Sequence, residues 1–438
     1  MKSRPRGVAA AATALTSMAL GTLPLGACSS SHGTAESDAG LVDARPDAHG
    51  TYPAPHPPFP EMRNFGGRVL SSPRIVTVTF AGTDAALRDE LRAFGDAVTA
   101  TPWWSTVMSG YGVGAGAGGG YAELANTLSG TNTTDDQIQQ LLAASIASGA
   151  LPAPTDETIY VVYAPYDALI DLDATSQSCR KFAGYHHSGS STGDAGKQRF
   201  LYAIVADCVG TTGTAQEAKD NLTYIASHEI AEVASDPDVN SDAPGAWYMT
   251  PGNDAWISAN GGENADLCGG QRWHEASWLV TKVWNFEAVR ASKAPCQPSL
   301  TSWYFAAAPS TENPSKERGA TANAPNGEGY VTVNAGTSRD IEIDVFSSER
   351  LPGDLTVLAG RFAAVNVAST APYDPYKVYS VDVGVTMTLS QTTATNGDRL
   401  TLTITVDPSI SNVKKRFSVR AVLSATDYHS WPAILYVP

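Results

Sequence analysis

The segment from Thr214 to Pro237 constrains this chain more than any other. Thr214-Ala215-Gln216-Glu217 has the form in which a Thr and a Glu cap a helix N-terminus reciprocally. Pro237 cannot continue a helix. Between them Leu222, Ala226, Ile230 and Val233 recur at helical spacing, which predicts a core-facing stripe on a helix of roughly 20 residues. Ser227-His228-Glu229-Ile230-Ala231-Glu232 occupies its last two turns. A four-residue interval puts His228 and Glu232 on one face, a turn apart, where both can hold one metal ion. Glu229 beside them has the position of a general base. The pattern is H-E-x-x-E, one residue from the H-E-x-x-H of zinc peptidases.

A zinc hydrolase needs three protein ligands, an open position for water and a base beside it. The third ligand has several candidates. Asp238 follows His228 by the ten residues seen in metzincin-type motifs. Glu263 and Asp266 form Glu-x-x-Asp in a downstream loop, and His186 precedes a strand. Glu in place of the second His adds negative charge. It weakens the ion as a Lewis acid and shifts preference from Zn²⁺ toward harder ions such as Ca²⁺ or Mn²⁺.

Upstream, Ile75 to Phe80, Thr158 to Ala164 and Phe200 to Ala206 read as strands, the second apolar enough to be buried on both faces. Asp84 to Val98 and Asp135 to Ser148 read as helices, with Trp103-Trp104 closing the core. Gly110 to Gly120 is expected to be a loop; lacking a strand–helix context and a following Lys, it is not a phosphate loop. Gly184-Tyr185-His186-His187-Ser188 reads as a polar turn. These elements predict an α/β domain with a small sheet over two or three helices. Trp247, Tyr248, Trp256, Trp273, Trp278 and Trp284 crowd the following segment. They suit either loops over a site or a satellite core fixed by a disulfide.

After Trp303 the texture changes. A polar linker is expected over 301–326. Seven short alternating runs follow: Tyr330 to Val333, Ile341 to Phe346, Leu355 to Leu358, Val381 to Leu389, Leu400 to Val406, Phe417 to Leu423 and Ile434 to Val437. They predict an all-β sandwich of immunoglobulin-like type over 327–438. It carries no catalytic cluster and reads as an accessory module.

The N-terminus has a basic start and an apolar Val8 to Leu23 too short to span a membrane. Leu25-Gly26-Ala27-Cys28 has the form of a lipobox, so 1–27 reads as a lipoprotein signal peptide and Cys28 as the lipidated residue. Residues 28–60, with His49 and His56, read as a disordered tether before the domain at 61–300. Lipid anchoring at an outer membrane or cell surface follows. Setting Cys28 aside, Cys179, Cys208, Cys268 and Cys296 suggest two disulfides, with Cys179–Cys208 and Cys268–Cys296 the sequence-local pairing of three possible. The net charge of −15 argues against nucleic acid.

His228-Glu229-Ile230-Ala231-Glu232, Ser235-Asp236-Pro237, Ala246-Trp247-Tyr248 and Glu263-Asn264-Ala265-Asp266-Leu267-Cys268 together resemble the exordium/phosphate-induced-protein family and its bacterial zincin-like relatives. Gly66 to Leu70 and Gly184 to Ser188 also fit. The resemblance covers about residues 62–299. It implies an extracellular, zincin-like domain, and it favours Glu263 or Asp266 over Asp238 as the partner of His228 and Glu232. Two readings follow. One is a zinc-dependent peptidase acting on a peptide or protein substrate. The other is a non-catalytic surface module with a structural or degenerate metal site, bound to a protein or a cell-surface polysaccharide.

Overall fold

The computed structural model describes residues 50–125, 127–128, 130, 132–193, 196–210, 213–239, 243–250, 255–257, 261–311, 329–362 and 374–438. The expected signal peptide, Cys28, His49 and most of the expected tether and linker lie outside them.

A five-stranded sheet forms the first half, in the order Ala117–Leu124, Arg74–Phe80, Thr158–Ala164, Gly196–Ala206, Gly184–Gly193. The first four strands pair in parallel. The last runs antiparallel at the edge, with His186 opposite Ala203. Side chains alternate across the sheet. Ile159, Val161 and Tyr163 face one core with helix Ala215–Ser235, while Tyr160, Val162 and Ala164 face another with helix Asp135–Ala147. Helices therefore cover both faces, where the sequence suggested one. This accounts for the fully buried strand Thr158–Ala164.

The helix boundaries follow local chemistry. Asp84 caps Ala85–Ala97 by accepting from the Leu87 amide, and Thr101 with Pro102 at the first position starts Pro102–Val107. Capping boxes open both Asp135–Ala147 (Thr134, Gln137) and Ala215–Ser235 (Thr214, Glu217). At the far end of Ala215–Ser235 the Leu70 amide donates to the Ala234 carbonyl at 2.9 Å, satisfying one carbonyl that the ending helix leaves without a partner.

Three expectations are corrected here. Gly110 to Gly120 is not all loop: Ala117–Leu124 is an edge strand. Glycine permits it, because a Cβ at Gly118 would lie 2.4 Å from Asp96 Oδ1. Gly184 to Ser188 is not a turn but the start of the antiparallel edge strand. Its polar residues alternate between two sites rather than facing solvent. The expected tether is ordered from residue 50: the Ala54 amide donates to Asn396 Oδ1 at 3.0 Å, and His56 stacks on Phe346 at 3.9 Å.

The second half places all seven expected strands in two sheets, Phe305–Pro309, Ser338–Ser347, Arg399–Val406, Val385–Leu389 and Tyr330–Thr332, Asp427–Val437, Val413–Ser424, Leu355–Phe362, Val378–Tyr379. Ile343 and Leu402 from one sheet share a core with Val357, Val419 and Leu435 from the other. Phe305–Pro309, read as linker, pairs with Ser338–Ser347 and is buried along its length. Five residues dominated by alanine carry too weak an alternation to announce a strand. Trp256, Trp284, Tyr304, Phe346 and Trp431 share a further core that joins the sandwich to the α/β half. Most of the aromatic crowd after the site helix is therefore packing, with Trp273 and Trp278 laid against the main core.

The edge strand is fixed from its rear face. Tyr185 and Tyr202 donate to Asp135 Oδ1 at 2.7 and 2.6 Å, and His187 Nδ1 lies 3.2 Å from Asp135 Oδ2. Burial alone would raise this carboxyl, but hydrogen bonds from His187, Tyr202, Tyr185 and Gln139 hold it at about 2. A depressed carboxylate stabilises the fold above its unfolded pKa of about 4 and loses that contribution as pH falls through 2. Asp135→Asn is expected to cost about 2 kcal/mol at neutral pH and to flatten the loss of stability between pH 4 and 2, measured by urea unfolding across that range.

Candidate metal centre

The site is built from three elements. The last two turns of Ala215–Ser235 supply His228, Glu229 and Glu232. The edge strand Gly184–Gly193 supplies His186. The loop ending in the short helix Asp266–Cys268 supplies Glu263 and Asp266.

The helix is seated by its polar side chains as well as its apolar stripe. Ser227 Oγ accepts from the Thr281 amide at 2.8 Å, and Thr223 Oγ1 donates to the Leu279 carbonyl at 2.9 Å, holding strand Trp278–Thr281 along it. The edge strand approaches from the other side at Gly184, where a Cβ would stand 2.6 Å from Ile225 and 2.7 Å from Glu229 Oε1. Any side chain there would push the strand off the helix. Because Tyr185 and His187 point to the Asp135 face, His186 points to the helix.

The loop is tied down residue by residue. Asn264 Nδ2 donates to Ser235 Oγ at 2.9 Å, the Trp284 amide donates to the Asn264 carbonyl at 2.9 Å, and Cys268 is bridged to Cys296. The other disulfide is Cys179–Cys208, so the sequence-local pairing is the one observed. Paired thiols of this kind indicate an oxidising, extracellular environment. Sequence reasoning did not single out Asn264 or Ser235. The only available signal was their place inside the two motifs they connect.

These ties bring four carboxylates and two imidazoles together. His228 Nε2 lies 3.1 Å from Glu232 Oε1 and 3.5 Å from Asp266 Oδ1. His186 Nδ1 lies 3.1 Å from Glu229 Oε2 and 3.6 Å from Glu232 Oε2, and its Nε2 is 3.4 Å from Glu263 Oε1. The backbone amide of Asp266 donates to Glu232 Oε1 at 3.1 Å. Two groups can each hold a cation: His186, Glu229 and Glu232, and His228, Glu232 and Asp266, the ligand atoms within each lying within 4.8 Å of one another. Glu232 belongs to both.

The site is short of positive charge. Glu229 and Glu232 are 5 % and 3 % exposed, and among the described residues neither Lys nor Arg forms an ion pair with these four carboxylates. Burial works against protonation of His186, but Glu263, Glu229 and Glu232 outweigh it and hold the imidazole well above its usual range. Burial likewise opposes protonation of His228, and Glu232 and Asp266 outweigh it. Burial, with the charges of Asp266 and Glu263 and against the pull of His228, raises Glu232 above the usual carboxylate range. In the two histidines the neighbouring carboxylates overcome burial, whereas in Glu232 burial itself is the larger cause. Tyr248, whose hydroxyl donates to the Gly261 carbonyl at 2.5 Å, is pushed up to about 12 by burial and by Glu263, Asp266 and Glu232, and so stays a neutral phenol.

Asp238 is elsewhere. The helix ends at Ser235, Asp236 leaves helical geometry (φ −145°, ψ 74°), and the Asp238 carboxylate is bound by Arg199 and by Arg68 Nε at 3.4 Å. A ten-residue interval places a ligand on the metal only if the chain turns back under the helix, and here it turns toward the two arginines. Glu263, Asp266 and His186 all reach the cluster.

No protein-family model matches the chain, and no curated protein matches it.

The Cys268–Cys296 bridge, with a sequence separation of 28, anchors the chain two residues after Asp266. Replacing both cysteines by serine is expected to lower stability by about 3.5 kcal/mol through loop entropy, read from the denaturant midpoint. Amide exchange over 263–268 is expected to speed up in the same variant.

Proposed function

We propose that this is an exported, metal-dependent hydrolase of peptide-like bonds with a zincin-like catalytic half. The observation that carries the reading is the convergence of His228 Nε2, Glu232 Oε1 and Asp266 Oδ1 beside the carboxylate of Glu229. Parallel strands ending in an antiparallel edge strand above the site helix support the zincin-like assignment. The two-sheet C-terminal part, with its parallel pairing of Tyr330–Thr332 and Asp427–Val437, supports an immunoglobulin-like accessory module. The disulfides support export. Anchoring through a lipid on Cys28 at the outer membrane or cell surface rests on the sequence alone.

The donor set fits a divalent cation. It offers one imidazole and two carboxylates in a pocket with too little positive charge, a combination that suits Zn²⁺ and tolerates harder ions. His228, Glu232 and Asp266 would hold it. When bound, such an ion acts as a Lewis acid and makes water acidic enough to react near neutral pH. The chain's own residues do the rest. Glu229 takes the proton from water and delivers it to the leaving amine. His186 Nδ1 hydrogen-bonds to Glu229 and fixes the base against the edge strand. The Asp266 amide keeps Glu232 Oε1 oriented.

A carboxylate-rich site also favours a second reading, a structural cation, Ca²⁺ included, in a non-catalytic surface module that binds a protein or a cell-surface polysaccharide. Metal identity and the base separate the two. Full-length protein is expected to carry Zn²⁺, His228→Ala to lose it, and Glu229→Gln to keep it while cleavage of a peptide library falls about 10²- to 10⁴-fold. Metal retained in Glu229→Gln with no cleavage by the wild type selects the structural reading. Metal absent from folded wild type sinks both.

A further inference from the structure

We propose that a second divalent cation binds beside the first, held by His186, Glu229 and Glu232, with Glu232 bridging the two positions. The inference rests on the metal-site reading above and concerns what regulates it.

Glu232 presents its two oxygens to different neighbours. Oε1 faces His228, and Oε2 faces His186 at 3.6 Å. One carboxylate thus serves both three-residue groups. Bridging carboxylates of this kind support cation pairs about 3.5–4 Å apart. His186 is 7 % exposed, and its Nε2 has no hydrogen-bond partner, nor has Glu263 Oε1 3.4 Å away. The two atoms face each other at ion-pair distance without a well-formed hydrogen bond, which leaves the contact improvable. With Nδ1 on a cation, the ring would carry its proton on Nε2 and donate it to Glu263, the carboxylate–imidazole–metal arrangement that orients histidine ligands. Charge points the same way. Four carboxylates converge here, and among the described residues no Lys or Arg forms an ion pair with them.

The second position uses the carboxylate that the first position needs as a base. With one ion, Glu229 is free to take a proton; with two, its Oε2 is a ligand. Occupancy of the second site is therefore a switch that turns hydrolysis off as free cation rises.

Equilibrium dialysis of the full chain against rising Zn²⁺, with bound metal counted by mass spectrometry, tests this without any substrate. Two ions per chain are expected at saturation. His186→Asn is expected to keep the tighter ion and lose the weaker, and His228→Ala to lose the tighter. Folding of each variant is checked by circular dichroism. One ion at saturation in the wild type overturns the second site and leaves the first standing. No ion overturns the metal-site reading itself. Two ions retained in folded His186→Asn, or both lost, also overturns the assignment. If His186→Asn does not fold, the wild-type count decides alone.

Discussion

Glu232 is a nearly buried carboxylate, and the rest of the α/β half is arranged around satisfying it. A charge taken out of water this far costs several kcal/mol unless hydrogen bonds or opposite charge replace the solvent. Each replacement comes from a different element. The Asp266 amide comes from the downstream loop, His228 from one turn earlier on the helix, and His186 from the edge strand. The loop must therefore be held against the helix terminus, and the strand must lie close over it. The Asn264–Ser235 contact and the Cys268–Cys296 bridge do the first. Gly184 allows the second.

The rear of the edge strand shows how such closeness is kept without cramping the front. Asp135 accepts from two tyrosines of adjacent strands and lies beside His187. This ties strand Gly184–Gly193 to helix Asp135–Ala147 through a second charged group that is well satisfied. The front and rear of one strand thus carry opposite electrostatic conditions. Asp135 is well supplied with donors and is held low; on the other face carboxylates crowd together and hold His186 well above its usual range. A strand pinned on its satisfied face can present His186 on the other without drifting.

The sequence made the helix legible because everything about it was local: a capping box, an apolar stripe, a terminating proline, and two potential ligands four residues apart. The buried strand Thr158–Ala164 and the seven C-terminal strands were legible for the same reason, a period of apolar residues with turn residues between. What failed depended on distant partners. Gly184 to Ser188 looks polar and turn-like because its two faces serve His186 and Asp135, neither of which is apolar. Ala117–Leu124 looks like a loop because of its glycines, of which Gly118 answers crowding against Asp96, in a helix about twenty residues earlier. Asp238 fits a spacing rule, but only the path of the chain beyond Asp236 shows that it meets Arg199 and Arg68. The third ligand stayed open among four residues because nothing in the spacing fixes a loop that is held by Ser235 and a disulfide.

The N-terminal segment changes how the two halves are to be understood. Composition makes residues 50–60 a spacer, yet Asn396 of the sandwich accepts from the Ala54 amide and donates to the Thr51 carbonyl, His56 lies flat on Phe346, and Phe59 meets Trp284, Tyr304 and Trp431 edge-on or tilted. Trp284 belongs to the same ladder of contacts as the metal loop, since its amide holds the Asn264 carbonyl. A continuous path of packed rings and backbone hydrogen bonds therefore runs from the sandwich, through this segment, to the loop that carries Glu263 and Asp266. Trp256, Trp284 and Tyr304 pack with Phe346 and Trp431 of the sandwich, so the α/β half buries part of its apolar surface against it. The sandwich is thus part of what holds the loop of Glu263 and Asp266, and the α/β half is best regarded as completed by it.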